Sequence, residues 1–226
     1  MQADAKITEL ILLDGKPTTR ILCPSKLIPA PGQYLQAFAD GSDSPVAASI
    51  FAAKIFTDSF LAAPSVPSSW MPGTCLRLRG PLGHGFALPS SARRVALIAF
   101  DDSPVRLLPL LDLALKQDSS VVLVCETPPD DLPLQVEIQP LRALSDVRSW
   151  ADYVAMDAAR ESLPGLREKF GMMSPLASWN AAQILIRTPM PCGALARCGV
   201  CAVETRRGHL LVCDDGPVFD LKDLLQ

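Results

Sequence analysis

The sequence predicts a β plus α/β architecture in three consecutive segments, and three observations carry that reading. Residues 1–90 hold short apolar stretches broken by Pro, Gly, Ser and Asp, residues 91–188 alternate strand-like with helix-like stretches, and residues 189–226 hold four of the seven cysteines. Short strands with dense turn punctuation imply an antiparallel barrel or sandwich. Strands alternating with helices imply a parallel α/β sheet. Four cysteines within 22 residues imply a small metal-binding module closing the series.

In the first segment, strands are expected at residues 6–13, 19–23, 33–39 and 74–78. Pro24, Pro29, Pro31-Gly32, Asp40-Gly41 and Pro72-Gly73 supply the turns, by fixing φ or by allowing it to be positive. Residues 62–73, with three prolines and three serines, form an irregular excursion, and residues 79–86 form a glycine-rich loop. The boundary to the second segment falls near Ser90-Ser91. Beyond it, strands are expected at 94–100, 121–125, 134–138, 153–156 and 182–187, with helices at 105–116, 141–150 and 157–169. The leucines of residues 107–115 fall at helical spacing and are assigned to core packing. Pro189 and Pro191 stop the last strand.

Composition bounds the function. The chain has 226 residues, 49% hydrophobic and 20% charged, as in a globular protein with real cores. Its net charge of −3 comes without a basic block or a basic stripe interleaved with aromatics, which argues against a nucleic-acid partner. Residues 1–8 are polar, and the apolar run 10–13 is too short for a signal-peptide core or a membrane span, so a cytoplasmic protein is expected. In that compartment thiols stay reduced, and a disulfide framework is not expected. Cys23, Cys75 and Cys125 stand isolated in apolar or strand-like stretches and are expected to behave as small buried hydrophobes.

Cys192, Cys198, Cys201 and Cys213 follow a Cys-x5-Cys-x2-Cys-x11-Cys pattern. Thiolates at such separations converge on one soft metal centre once the backbone folds around it. Gly193 and Gly199 each follow a cysteine, where the missing Cβ lets backbone amides approach a cluster. A zinc knuckle uses the same donors and would staple the terminus. Here three cysteines crowd one loop and the fourth arrives alone, which favours a [2Fe-2S] cluster. His84 is expected to stabilise a turn and His209 to lie exposed beyond Arg206-Arg207-Gly208, a hairpin turn. Asp214-Asp215 are expected as turn residues or a docking face. No Gly-x-Ser-x-Gly elbow is present, so a serine hydrolase is not indicated.

The stretch Pro191-Cys192-Gly193, then Cys198-Gly199-Val200-Cys201, then Val212-Cys213-Asp214-Asp215-Gly216-Pro217-Val218-Phe219-Asp220 resembles the C-terminal iron-sulfur domain of the electron-transfer subunit of type B dihydroorotate dehydrogenase. Pro31-Gly32-Gln33-Tyr34 and Arg79-Gly80-Pro81-Leu82-Gly83-His84-Gly85-Phe86 are similar to that family's flavin domain, in the same order. The resemblance implies an antiparallel β-barrel of flavin-reductase type over 1–90, a Rossmann-like nucleotide-binding α/β domain over 91–188 and an iron-sulfur module over 189–226. It further implies electron transfer between FAD and a partner redox enzyme, with Cys192, Cys198, Cys201 and Cys213 as metal ligands and Ser49 and Ile50 as FAD contacts. The partner would be a catalytic dihydroorotate dehydrogenase-like flavoprotein subunit, or another redox enzyme such as a ferredoxin-linked one, in a hetero-oligomer serving pyrimidine biosynthesis.

Three departures from the family pattern are visible. The first two cysteines are separated by five residues instead of four, so the loop must bulge at Ala194, Leu195 and Ala196. The family's Arg-Pro-x-Ser-Ile flavin motif becomes Pro45-Val46-Ala47-Ala48-Ser49-Ile50, without the phosphate-binding arginine. The glycine-rich turn expected after the strand at 94–100 is Asp101-Asp102-Ser103-Pro104, and the family's Cys-Gly-Pro is Met156-Asp157-Ala158. Carboxylates repel a pyrophosphate, so NAD(P)H binding is expected to be weak or absent. The alternative is a non-catalytic accessory subunit that has lost its flavin and nicotinamide sites and keeps a cluster or zinc as a staple.

Overall fold

The computed structural model describes residues 1–226 except 43, 45, 65, 102, 172–180, 206–207 and 225–226, and excepting the side chains at 170 and 171. Pro45, Asp102, Arg206 and Arg207, singled out above, lie outside the described residues. Strands β1 (Gln2–Leu13), β2 (Lys16–Leu22), β3 (Tyr34–Ala39), β4 (Ala48–Ile55), β5 (Ser59–Ala62) and β6 (Cys75–Leu82) close into a barrel in the order β1-β2-β5-β4-β3-β6. All its pairings are antiparallel, including β6 with β1.

The barrel strands obey the two-residue period of a pleated strand, yet several are buried on both faces. Leu35, Ala37, Ile50 and Ala52 fill the barrel interior with Phe60, Leu76 and Leu78. Tyr34, Phe51 and Ala53 point the other way, into a second core shared with the α/β sheet. Two buried faces require a nearly unbroken apolar run in place of alternation, and β4, Ala-Ser-Ile-Phe-Ala-Ala-Lys-Ile, is such a run.

The chain then continues through β7 (Arg94–Ala99), α1 (Leu108–Lys116), β8 (Ser120–Val124), β9 (Val136–Gln139), α2 (Leu144–Trp150), β10 (Tyr153–Ala159), α3 (Leu163–Gly171) and β11 (Ala182–Arg187). A hairpin of β12 (Ala202–Thr205) and β13 (Gly208–Leu211) follows, then β14 (Val218–Asp220) and the short α4 (Leu221–Leu224). The sheet order is β14-β11-β10-β7-β8-β9, parallel throughout except for the antiparallel edge pair β11–β14. Val95, Leu97 and Ala99 of β7 face α1, whose Leu110, Leu111 and Ala114 cover that side together with Leu107 just before the helix. Ala96 and Ile98 face the other side, with Leu144 and Val147 of α2 and Leu163 and Leu166 of α3. From β7 the chain builds β8 and β9 to one side, then returns to the other side for β10 and β11, so the topological switch point lies between β7 and β10.

Some expected elements shift. The helix expected at 157–169 begins only at Leu163, because residues 157–159 complete β10 by pairing Asp157, Ala158 and Ala159 with Leu185, Ile186 and Arg187. The loop expected at 79–86 begins later, since residues 79–82 extend β6 against β1 and β3. Cys23 and Cys125 are buried as expected, with burial pushing both thiols up to about 11, but Cys75 is exposed. Among the described residues no helix is long and apolar enough to cross a membrane.

Leu97, 0% exposed in the central strand β7, sets the scale of this packing. Leu97→Ala should lower stability by about 3 kcal/mol in guanidinium unfolding. Leu113→Ala, on the exposed face of α1, should change it by less than about 0.5 kcal/mol.

Candidate metal centre and the cavity beside it

The cysteine segment is an excursion between β11 and β14, which pair with each other. Its first turn leaves β11 through Pro189 and Pro191, and backbone bonds from Gly193 N to Met190 O and from Leu195 N to Cys192 O fold it back at once. Gly193 and Ala194 both have positive φ, 49° and 65°. For Ala194 that is an uncommon conformation, and the residue after it, Leu195, is 76% exposed. A Cβ on Gly193 would lie 2.6 Å from both Arg79 Nη2 and Gln36 Cδ, so any larger residue would displace the two side chains that hold this turn.

The four cysteines are brought together from both ends of the excursion. Cys192 and Cys198 are 3.5 Å apart at sulfur. Cys201 and Cys213 flank the base of the β12–β13 hairpin, where Val212 N donates to Cys201 O, and both are buried. Burial pushes the Cys213 thiol up to about 12, assisted by the neighbouring Cys201. Burial acts on Cys192 in the same sense but is outweighed: hydrogen bonds from the Ala196 backbone, the Cys198 thiol and the backbone of Cys198 and Ala194 hold it at about 7. Among the described residues no three His, Cys, Asp or Glu side chains close on a single-ion site. The thiols lie instead as two neighbouring pairs, a donor set suited to a cluster of two irons with four cysteine ligands.

The module contains little regular structure, and its backbone carbonyls must find partners elsewhere. Donors from the other two domains supply them. From the barrel, Tyr34 Oη donates to Cys213 O at 2.9 Å, Gln36 Nε2 to Met190 O at 3.0 Å, and Arg79 Nη2 to Gly193 O. From the α/β domain, Arg160 donates to Val200 O, while Arg167 reaches Glu204 O at 2.9 Å and Leu224 O at 3.0 Å. Arg79, Gln36 and Ser49 are cross-strand partners on β6, β3 and β4, so the barrel register sets three of these side chains in one row. His84 performs the expected turn role across domains: its N–H donates to Gly216 O at 2.6 Å, and its Nδ1 lies 3.0 Å from Asp215 O. Asp215 is a turn residue, accepting from Leu211 N at 2.7 Å. His209 is exposed as expected.

A cavity of about 560 Å³ adjoins this row, between the barrel and the C-terminal ends of β10 and β11. Ser49, Phe51, Arg106, Arg187, Thr188 and Met190 are among its walls. Ser49 Oγ accepts from Gln36 Nε2 at 2.6 Å, so the cavity and the cysteine loop share one side chain. Ile50, expected beside Ser49 as an FAD contact, turns its side chain into the barrel interior, leaving only its backbone for a ligand. Thr188 Oγ1 is buried in the wall without a hydrogen-bond partner among the described residues. A volume in the range of small-molecule sites and an unsatisfied hydroxyl in the wall fit a flavin. Sequence reasoning missed Gln36, Arg79, Arg160, Arg167 and Thr188. Gln36 alone carried a signal, as a lone amide in an apolar strand.

Comparison with known proteins agrees with these features. Residues 188–225 match the family model described as the iron-sulfur cluster binding domain of dihydroorotate dehydrogenase B. A search of the curated proteins finds no match to the sequence. Among solved structures, an NADH-dependent reduced ferredoxin-NADP oxidoreductase superposes with a TM-score of 0.72 at 15% identity, covering 98% of this chain and 90% of that one. Phthalate dioxygenase reductase gives a TM-score of 0.56 at 11% identity, covering 98% and 96%. The ferredoxin reductase of carbazole 1,9a-dioxygenase gives 0.63 at 12% identity, covering 83% and 69%. These likenesses establish the fold, and the family match covers its last segment. Residues 188–225 thus resemble the iron-sulfur cluster binding domain of dihydroorotate dehydrogenase B, and they are carried on a barrel and an α/β domain that share the fold of these reductases.

Proposed function

We propose that this chain is an electron-transfer subunit, passing electrons between a flavin and a partner redox enzyme through a [2Fe-2S] cluster held by Cys192, Cys198, Cys201 and Cys213. The observation that carries the reading is the convergence of these thiols in two pairs, in the segment that matches the cluster-binding family. The division into a flavin-type barrel over 1–90, an α/β domain over 91–188 and a cluster module over 189–226 belongs to the same proposal.

The chain's own residues position the two sites. Gln36 spans from Ser49, in the cavity wall, to Met190 O, two residues before Cys192. Arg79 fixes Gly193 O on the other side of that cysteine. Two neighbouring carbonyls are thereby held from the barrel, so the cavity and the cysteine loop keep one separation, as electron exchange between protein-borne groups requires. Ser49, Thr188 and the backbone of Ile50 would hold the flavin. Cys198, Leu195 and Val200 are exposed at the outer rim of the loop and would face the partner. That partner is proposed to be a flavoprotein subunit of the dihydroorotate-oxidising type, assembled with this chain as a heteromer in the cytoplasm, where seven unpaired cysteines stay reduced.

Anaerobically purified protein should contain about two irons and two acid-labile sulfides per chain and bleach on reduction with dithionite. Zinc without sulfide would overturn the proposal. Cys213→Ser should abolish the visible bands of the cluster, together with bound iron and sulfide, while the far-ultraviolet circular dichroism stays native. Arg79→Ala should leave the cluster in place but speed its loss to an iron chelator roughly tenfold, the effect of removing one charge-assisted hydrogen bond. Unchanged loss kinetics would show that the barrel does not secure the loop.

A further inference from the structure

The ligand crevice of an open α/β sheet lies outside the carboxyl ends of its strands at the switch point. Here that place, between the ends of β7 and β10, is filled by the chain itself. Asp157, in β10, is 1% exposed and accepts from Arg187 Nε at 2.6 Å, with Arg106 Nη1 3.6 Å from its other oxygen. Burial pushes its carboxyl up, and the charges of Arg106 and Arg187 act in the opposite sense. Asp101, just beyond β7, accepts from Arg187 Nη2, from Ser162 Oγ and, at 2.9 Å, from the backbone amide of Ala159. Arg106 also donates to Pro64 O at 2.5 Å, which ties the network to the barrel.

The donors around Asp101 have the chemistry of an anion site: an amide and a hydroxyl at the turn into a helix, and a guanidinium. A dinucleotide's phosphate would need donors of this kind, and they are already saturated by a carboxylate. No glycine stands at 100–104 to let a pyrophosphate approach the backbone. The residues present therefore do not fit a pyridine nucleotide.

We infer that Asp101 acts as a built-in anion occupying the nucleotide-phosphate position, so that this chain draws no hydride from NADH or NADPH. Resting on the electron-transfer reading above, its traffic runs between protein-borne redox groups on both sides. The carboxylate also excludes free phosphates from the same donors.

The test uses the full-length holoprotein under anaerobic conditions. NADH and NADPH, each up to about 1 mM, the weak end of specific affinities, should neither bleach the visible spectrum nor give saturable saturation-transfer NMR signals, while dithionite bleaches the same sample. Saturable binding of either nucleotide, or bleaching by it, would overturn the inference. Failure of dithionite to bleach would count against the cluster and leave the NMR result to decide the nucleotide question by itself. Asp101→Ala frees the amide, hydroxyl and guanidinium, so inorganic pyrophosphate should bind the folded variant at least tenfold tighter than the unaltered protein. Equal affinity would show that Asp101 does not hold an anion's place.

Discussion

Everything distinctive in this structure depends on β14 returning to pair with β11. The two strands are hydrogen-bonded neighbours, with Ile184 opposite Phe219 and Leu185 opposite Val218. The 30 residues between them, 188–217, leave and re-enter the sheet at one edge. A long excursion fixed at both feet retains few conformations, and its remaining freedom is removed by what it lies against. Tyr34, Gln36 and Arg79 hold its carbonyls from the barrel, and Arg160 and Arg167 hold them from the α/β domain. The cysteine loop is thus built by its surroundings more than by its own secondary structure.

One apolar core runs through the barrel, the α/β sheet and the cysteine segment. Phe51 and Ala53 of the barrel, Ile98 and Met156 of the sheet, and Cys201, Val203, Val212 and Cys213 of the module belong to a single buried cluster. This shared core explains why the cavity lined by Ser49 and Thr188 lies next to the cysteine loop: both occupy the seam where the outer face of β3 and β4 meets the strand ends. At the same seam the ion pairs of Asp101, Asp157, Arg106 and Arg187 occupy the switch point. The three features share one boundary, and Arg187 and Arg106 belong to two of them.

Much of this was legible from residues alone. The cysteine spacing and the Cys-Asp-Asp-Gly-Pro-Val-Phe ending marked the module, and the alternation of strands with helices marked the sheet. What escaped had physical causes. β4 has no alternating pattern because both of its faces are buried, so nothing distinguishes it locally from other apolar stretches. Residues 157–159 looked helical because a charged residue inside a buried parallel strand is rare, and Asp157 is tolerated there only through two arginines distant in sequence. Arg160 and Arg167 could not be told from surface arginines, and Arg79, although inside the flavin-domain-like stretch, gave no sign of its acceptor, since all three donate to backbone carbonyls that carry no sequence signal. The acidic turn was visible in the sequence, but that Asp101 accepts from the Ala159 amide and the Ser162 hydroxyl required the fold.

The order of the strands along the chain also orders events in time. During synthesis β11 and its parallel neighbours precede the cysteines, and β14 follows them. N-terminal segments fold first on the ribosome, so the sheet can form with β11 as an open edge while the cysteine segment is still emerging. That edge is covered only when Val218, Phe219 and Asp220 arrive. Until then the thiols of Cys201 and Cys213, later sealed within the core, remain open to solvent and to any metal that is to bind there, and closing the sheet confines whatever they hold.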